Sequence, residues 1–524
     1  MGNLHGPSDH EEQDSQMSGI IVALLAALTL TSCAGSQAAL STPPPQPNLI
    51  VFLVDDLGWQ DISLPLDHEP TPFNERYRTP NVERLAAQGM TFTQAYASAP
   101  VCTPTRTSLM TGRSPARNHI TYWTLNADSD TSAPFAGLLP PAWNVNGLQP
   151  DDVTLPALLG QAGYRTIHVG KAHFGAQGTL GSDPINLGFD VNVAGHGAGA
   201  PASYLARESF SRGNVWDVPG LESWHGSDAY LTEALSAEAL SAVRDAVAAG
   251  QPFFLNMAPY AVHTPIMANP RHVDDYPGLP PVEAAYASMI AGVDKALGEL
   301  LDLLDELDIA GETVVIFTSD NGGLSAHGRA GEPHTHNAPL RSGKGSYYEG
   351  GLRVPAVVRW PGVTEAGSRS LVPIITHDLF HTLLAMAGVS LTAKQRWVLD
   401  GMDISPLLKG SSTWSEQVSF RTLFWHQPHY WGIPGPGIEP FSAMRWGRFK
   451  LIYRHLDRGF ELYDLQVDLG ERHDLAPSQP ELLQQLAGDL KRWLRRSGAQ
   501  MSIDEESGEP VQWPADALAL RDED

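Results

Sequence analysis

Four apolar runs in this chain break off at polar residues. NLIVFLV (48–54) gives way to Asp55 and Asp56, YRTIHVG (164–170) to Lys171 and His173, PFFLNMAPY (252–260) to His263, and TVVIFTS (313–319) to Asp320 and Asn321. Unbroken Val, Ile, Leu and Phe predict strands buried on both faces, as in a parallel sheet between helices. In such sheets the carboxyl ends of the strands carry the chemistry. The intervening segments read as helices. TPNVERLAAQG (79–89) has Thr79 to cap, Pro80 in the first turn, Val82, Leu85 and Ala86 on one face, and Gly89 to stop it. EAAYASMIAGVDKALGELLDLLDEL (283–307) predicts a long amphipathic helix with Tyr286, Met289, Ile290, Val293, Leu297, Leu300, Leu301 and Leu304 inward.

Past about residue 405 the pattern changes. FSAMRWGRFKLIYR (441–454) and GFELYDLQVD (459–468) predict antiparallel strands around short turns, and PELLQQLAGDLKRWLRR (480–496) a closing helix. The expected fold is α/β: a large mixed, mostly parallel sheet flanked by helices, plus a smaller C-terminal α+β lobe with an antiparallel sheet. The expected boundaries are a catalytic domain at 48–405 and a subdomain at 406–524, whose acidic tail, with DEESGEP and RDED, frays into solvent.

The N-terminus predicts export. IIVALLAALTL, ending at Leu30, is too short to span a bilayer but fits the core of a signal peptide over residues 1–33. Its end, Leu30-Thr31-Ser32-Cys33, resembles a bacterial lipobox, which implies cleavage before Cys33 and lipidation of its sulfur. The expected location is the periplasm or outer cell surface, with a membrane anchor through lipidated Cys33. The segment ahead of the apolar core is acidic and lacks Lys and Arg, a departure that a start at Met17 explains in part. Residues 34–47, AGSQAALSTPPPQP, read as a Pro-rich spacer.

With 524 residues, 42% of them hydrophobic, the chain is large enough for two lobes. A net charge of −25 excludes nucleic acid as a partner, and an anionic substrate would need a locally positive pocket. There are two cysteines. Loss or lipidation of Cys33 leaves Cys102 without a partner, so no disulfide is expected within the mature chain. Cys102 lies in APVCTPTRTSLMTGR (99–113), which reads as a strand-to-helix turn with Thr103 as cap, Pro104 first in the helix and Gly112 near its end. That places Cys102 at a helix N-terminus, where the dipole favours negative charge.

VDDLGW, CTPTR with TGR, TSDNGG and APLRSGKGSYYEGGLRVP occur in that order along the chain. Together they resemble the type I sulfatases of the alkaline phosphatase superfamily, whose C-x-P-x-R element carries a cysteine converted to formylglycine. GKAHFG, HTP and ELYDLQVDLGERHDLA fit the same resemblance, which covers nearly all of residues 48–490. It implies a sulfuric ester hydrolase acting on sulfate monoesters of a glycan or small molecule, matured by a separate formylglycine-generating enzyme. It implies one Ca²⁺, or Mg²⁺, held by Asp55, Asp56, Asp320, Asn321 and the modified Cys102; hard oxygen donors agree with such a cation. Arg106 would orient the aldehyde hydrate and Lys171 would serve as charge partner beside His173. His173 would be the base that regenerates the aldehyde, and His263 with Lys344 would hold the sulfate and protonate the leaving oxygen. Arg106, Lys171 and Lys344 supply the positive charge that sulfate needs.

Two departures bear on the substrate. Ala172 stands where the family commonly has Trp, and no Ser or Thr matches the family's extra sulfate contact after HFG. His334 and His336 form an H-x-H without a third ligand nearby, and are read as a substrate-facing loop with His336 binding substrate. FWHQPHYWG (424–432) either stacks on a sugar or packs a lobe interface. Sulfated polysaccharide fragments are the first substrate reading, and aryl or steroid sulfates the second. The competing functions are a phosphonate monoester or phosphodiester hydrolase of the same superfamily, and an inactive lipid-anchored binding protein in which Cys102 stays a thiol.

Overall fold

The computed structural model describes residues 46–521 except His327. Cys33, the expected signal peptide and most of the spacer lie outside the described residues. Among these residues no helix is long and apolar enough to cross a membrane.

The central sheet has nine strands. From one edge the order is Ile374–Ile375, Met90–Tyr96, Arg353–Arg359, Thr313–Ser319, Asn48–Val54, Phe253–Ala258, Arg165–Gly170 and Val191–Val193, with Ser368–Ser370 also paired to Met90–Tyr96. Every pairing is parallel except the two made by Arg353–Arg359. Both faces are covered, which is why the strands read as unbroken apolar runs. Ile50, Phe52 and Val54 face helices Leu231–Ala248 and Pro281–Glu306, whereas Leu49, Val51 and Leu53 face Cys102–Thr111, Leu155–Gln161 and Asp378–Met386. All eight expected inward residues of the long helix are buried.

A second sheet, Thr422–Gln427, Phe441–Trp446, Phe449–Arg454 and Phe460–Asp464, is antiparallel throughout. Here period-two alternation divides the core. Met444, Leu451, Tyr453 and Leu462 pack under helix Pro480–Ser497, while Ala443, Ile452 and Tyr463 pack against Tyr96, Tyr347, Tyr348 and Leu352 of the larger layer. Large mixed sheet and smaller antiparallel sheet match the expected fold class.

Two boundaries differ from expectation. Leu407, Leu408 and Val418 join the core of the large sheet, so its layer continues to about residue 418 instead of ending at 405. The tail does not fray over the described residues. Ile503–Asp504 pairs with Leu138–Leu139, Pro514–Arg521 is helical, and Val511 and Ala517 are buried in the core under Pro480–Ser497. The acidic run 505–510 is exposed, as its composition implies, but the apolar residues beyond it dock. Ser502 adds a hydrogen bond to His455 Nδ1 at 2.8 Å.

Ending the chain at Gln500 is therefore expected to destabilise the fold, Val511 alone burying an aliphatic side chain worth about 1.5–3 kcal/mol. Equilibrium denaturation measures this, and an unchanged midpoint would return the tail to the frayed description.

Candidate active site

The register of the large sheet decides which strand ends meet. Val54 pairs with Ser319, which sets Asp55 and Asp56 beside Asp320 and Asn321. One oxygen from each of Asp55, Asp56 and Asp320 lies within 4.8 Å of the other two, and all three residues are fully buried. Asn321 Nδ2 donates to Asp56 Oδ1 at 2.8 Å, and its Oδ1 has no hydrogen-bond partner. Three carboxylates and an amide oxygen left unpaired in the interior form a donor set for a hard divalent cation.

Three cations brace this cluster. Lys171 Nζ donates to both oxygens of Asp55 at 2.8 and 2.7 Å. Lys344 Nζ lies 2.7 and 2.9 Å from those of Asp56. Arg106 Nε donates to Asp320 Oδ2, and its Nη1 to the Lys171 carbonyl, each at 2.7 Å. Burial penalises every carboxylate here. At Asp56 the charges of Lys344, His263 and Lys171 outweigh that penalty, as Arg106 and Lys171 do at Asp320, and hold both below the usual range. At Asp55 burial wins over Lys171, with Asp320 and Asp56 adding repulsion, and its carboxyl is pushed well up. Burial would also lower the Lys344 ammonium, but Asp56 holds it above its usual value.

Against the cluster lies a cavity of about 220 Å³, reached by Asp56, Cys102, His173, His263 and Lys344. Cys102 is the first residue of its helix, and Val101, not Thr103, occupies the N-cap position. The Thr103 hydroxyl is engaged elsewhere, 3.0 Å from His173 Nε2 and accepting from Thr124 N at 3.2 Å. His173 Nε2 is also 2.7 Å from the Thr124 carbonyl. A carbonyl only accepts, so Nε2 carries the proton and Nδ1 presents its lone pair to Cys102 Sγ at 3.3 Å. Burial, reinforced by Lys171, pushes the His173 imidazole well below its usual value, which keeps it neutral. A Cβ on Gly199 would sit 2.3 Å from the His173 ring, so only glycine lets the ring take this place. His173 itself has φ of 53° and Asp56 has 59°, left-handed conformations of the kind retained at functional sites. His263 Nδ1 donates to the Thr264 carbonyl at 2.8 Å, leaving Nε2 3.7 Å from Asp56 Oδ2. Burial, then Lys344, pushes its imidazole down.

Arg106 and Lys171 come to the same place but line no part of the cavity. The expected substrate contact of Lys171 is therefore replaced by its ion pair with Asp55. His336 does not join the site either: it is buried, with Nε2 2.7 Å from the Ala330 carbonyl and Nδ1 3.4 Å from Ser325 Oγ, so it structures its own loop.

The sequence reading missed Trp123 and Trp216, which line the cavity with Trp431. All three are partly exposed. FWHQPHYWG divides between its two readings. Trp425 is fully buried, with Nε1 donating to the Ala97 carbonyl at 2.9 Å and its ring against Tyr96. Trp431 reaches the cavity, its ring 5.8 Å from Lys344 Nζ. A Cβ on Gly345 would lie 2.4 Å from that ring, a close approach that glycine alone permits.

Residues 47–389 match the family model for sulfatases, and residues 343–500 match that of the C-terminal region of N-sulphoglucosamine sulphohydrolase. A sulfatase of Formosa agariphila is 28% identical over 536 residues, spanning 90% of this chain and 92% of its own. N-acetylgalactosamine-6-sulfatase of Sus scrofa is 31% identical over 505 residues, spanning 90% and 89%. Among solved structures, Ps i-CgsB in complex with k-i-k-neocarrahexaose superposes with a TM-score of 0.70 at 26% identity, covering 91% of this chain and 97% of that one. With strand ends, cavity and relatives in agreement, the chain belongs to the sulfatase family.

Proposed function

We propose that this protein hydrolyses sulfate monoesters of carbohydrates, with Cys102 converted to formylglycine and a calcium ion held by Asp55, Asp56, Asp320 and Asn321. The observation that carries the reading is the placement of Cys102 Sγ 3.3 Å from a neutral His173 Nδ1, in one cavity with Asp56, His263 and Lys344. The unpaired Asn321 Oδ1 and three buried carboxylates suit calcium, and magnesium is the alternative ion. A carbohydrate substrate is supported by the N-acetylgalactosamine-6-sulfatases and by the k-i-k-neocarrahexaose bound to the solved relative.

When present, the hydrated aldehyde supplies a nucleophile for sulfur and a second hydroxyl for its own regeneration, and the cation supplies charge against the sulfate oxygens. This chain's residues do the rest. His173 Nδ1, neutral and fixed by the Thr124 carbonyl, accepts the proton released at position 102. Lys344 and His263 flank Asp56 at the cavity wall, where the Lys344 ammonium holds the sulfate and hands a proton to the leaving alcohol, while His263, neutral and donating through Nδ1 to Thr264, presents Nε2 only as an acceptor. Arg106 and Lys171 act from behind, Arg106 keeping Asp320 ionised and Lys171 holding Asp55 in place against the burial that pushes its carboxyl up. Export and a formylglycine-generating partner belong to the same reading, and the N-terminal segment that would direct export lies outside the described residues.

Protein produced in a host that matures the cysteine is expected to release free sulfate from sulfated sugars, and Cys102→Ala to release none. Turnover confined to phosphonate monoesters would favour the hydrolase alternative, and a thiol at position 102 by peptide mass would favour the binding protein. His173→Ala should lower kcat by about 10²–10⁴-fold without unfolding the protein; a loss under tenfold would remove it as the base. Elemental analysis should find one calcium per chain in the parent and none in Asp320→Ala, and equal metal content in the two would move the ion elsewhere.

A further inference from the structure

A second cavity, of about 730 Å³, shares no lining residue with the first. Its walls include Trp59, Gln94, Arg353, Arg369, Arg445 and Arg448, drawn from both sheets and the loops beside them. Four arginines converge here in a chain of net charge −25, against one lining carboxylate, Asp67.

Their partners leave positive charge over. Arg353 is paired with Glu349 at 2.7 Å, and Arg448 with Asp464. Among the described residues Arg445 finds only neutral acceptors: the Gly447 carbonyl, the Tyr96 hydroxyl and the Gln94 amide. Arg369 likewise reaches, among the described residues, only the Pro65 and Asp67 backbone carbonyls, at 3.0 and 3.5 Å. Behind the wall Lys450 pairs with Glu349 at 2.9 Å and Glu471 at 2.8 Å. Arg353, Arg445 and Lys450 thus face two carboxylates, and all five residues are at most 5% exposed. Burial pushes Glu471 up to about 7, which weakens the negative side further. A buried cation without a counter-charge is strongly disfavoured, and guanidinium groups match the oxygens of sulfate or phosphate in paired hydrogen bonds. Trp59, 1% exposed, has an Nε1 donor with no partner. Leu371 and Phe420, 65% and 67% exposed, add apolar wall of the kind that takes the C–H face of a sugar.

We propose that this second cavity binds a sulfate group on the carbohydrate chain away from the hydrolysed ester, and so holds a polymeric substrate while the first cavity acts on one of its residues. The oxyanion class rests on the arginines; the saccharide that carries it rests on the sulfatase function proposed above.

Calorimetry on full-length Cys102→Ala, which cannot turn substrate over, separates the two. A sulfated disaccharide, too short to span both cavities, is expected to bind with two equivalents, and with one when Arg369→Ala is added. The desulfated disaccharide should not fill the second site. Arg369→Ala in the active background should leave kcat/KM on a small aryl sulfate unchanged and raise KM for the polymer about tenfold or more, with Arg369→Lys restoring part of the loss. A single equivalent in both proteins, or an equal loss on small and polymeric substrates, overturns the proposal. Inorganic sulfate filling the site as tightly as the disaccharide overturns the saccharide assignment. If hydrolysis fails altogether but an Arg369-dependent equivalent remains, the oxyanion site stands and the sulfatase function falls.

Discussion

The parallel pairing of Asn48–Val54 with Thr313–Ser319 is the constraint on which the site depends. Its register ends both strands at one level and forces Asp55, Asp56 and Asp320 to within 4.8 Å of one another in the interior. Like charges so close and so buried repel strongly, and no folded chain keeps them without compensation. The neighbours follow from that requirement. The strand Arg165–Gly170, separated from Asn48–Val54 by Phe253–Ala258, ends in Lys171, the helix after Met90–Tyr96 carries Arg106, and the loop before Arg353–Arg359 carries Lys344. Each cation engages a different carboxylate, so the arrangement is specific as well as neutralising.

This partition explains how an acidic protein sets three buried cations beside one cavity. With all three carboxylates ionised, the three cations and three carboxylates would cancel, and a divalent cation added to them would turn the cavity wall positive. The field is built by fixed buried groups and not by surface charge, so it survives the screening that would erase a surface patch of the same size. Neutral His173 fits the same scheme. With Lys171 and Arg106 near, an imidazolium would be opposed twice, by burial and by charge, and the ring is left as a base.

Much of this was legible along the chain. Strand ends at Asp55, Lys171, His263 and Asp320 could be read because both-face burial writes an unbroken apolar run, and a polar residue at its end needs a reason. The loops were not legible. Trp123 and Trp216 belong to no periodic segment, and nothing local separates a cavity-lining tryptophan from a packed one. Thr103 has the composition of a cap, but a tertiary partner, His173, took its hydroxyl. His336 was misplaced because a histidine pair looks like ligand chemistry until its acceptors, Ala330 and Ser325, are seen beside it. The tail was misjudged from its acidic run, since two buried residues, Val511 and Ala517, outweigh several solvated carboxylates in fixing where a segment goes.

The segment LRSGKGSYYEGGLR (340–353) ties these features together. Lys344 lines the first cavity, Tyr347 and Tyr348 pack into the interface with the antiparallel sheet, Glu349 anchors Lys450 and Arg353, and Arg353 lines the second cavity. The smaller sheet is therefore more than a buttress. It supplies Lys450 to one end of this segment and Arg445 to Tyr96 beside it, and from the loop after Thr422–Gln427 it sends Trp431 over the other end. A displacement of that sheet would move Trp431 against Lys344 and Arg445 against Tyr96 together, because the intervening tyrosines are packed on both sides. The walls of the two cavities thus share one support, and that support is the interface between the sheets.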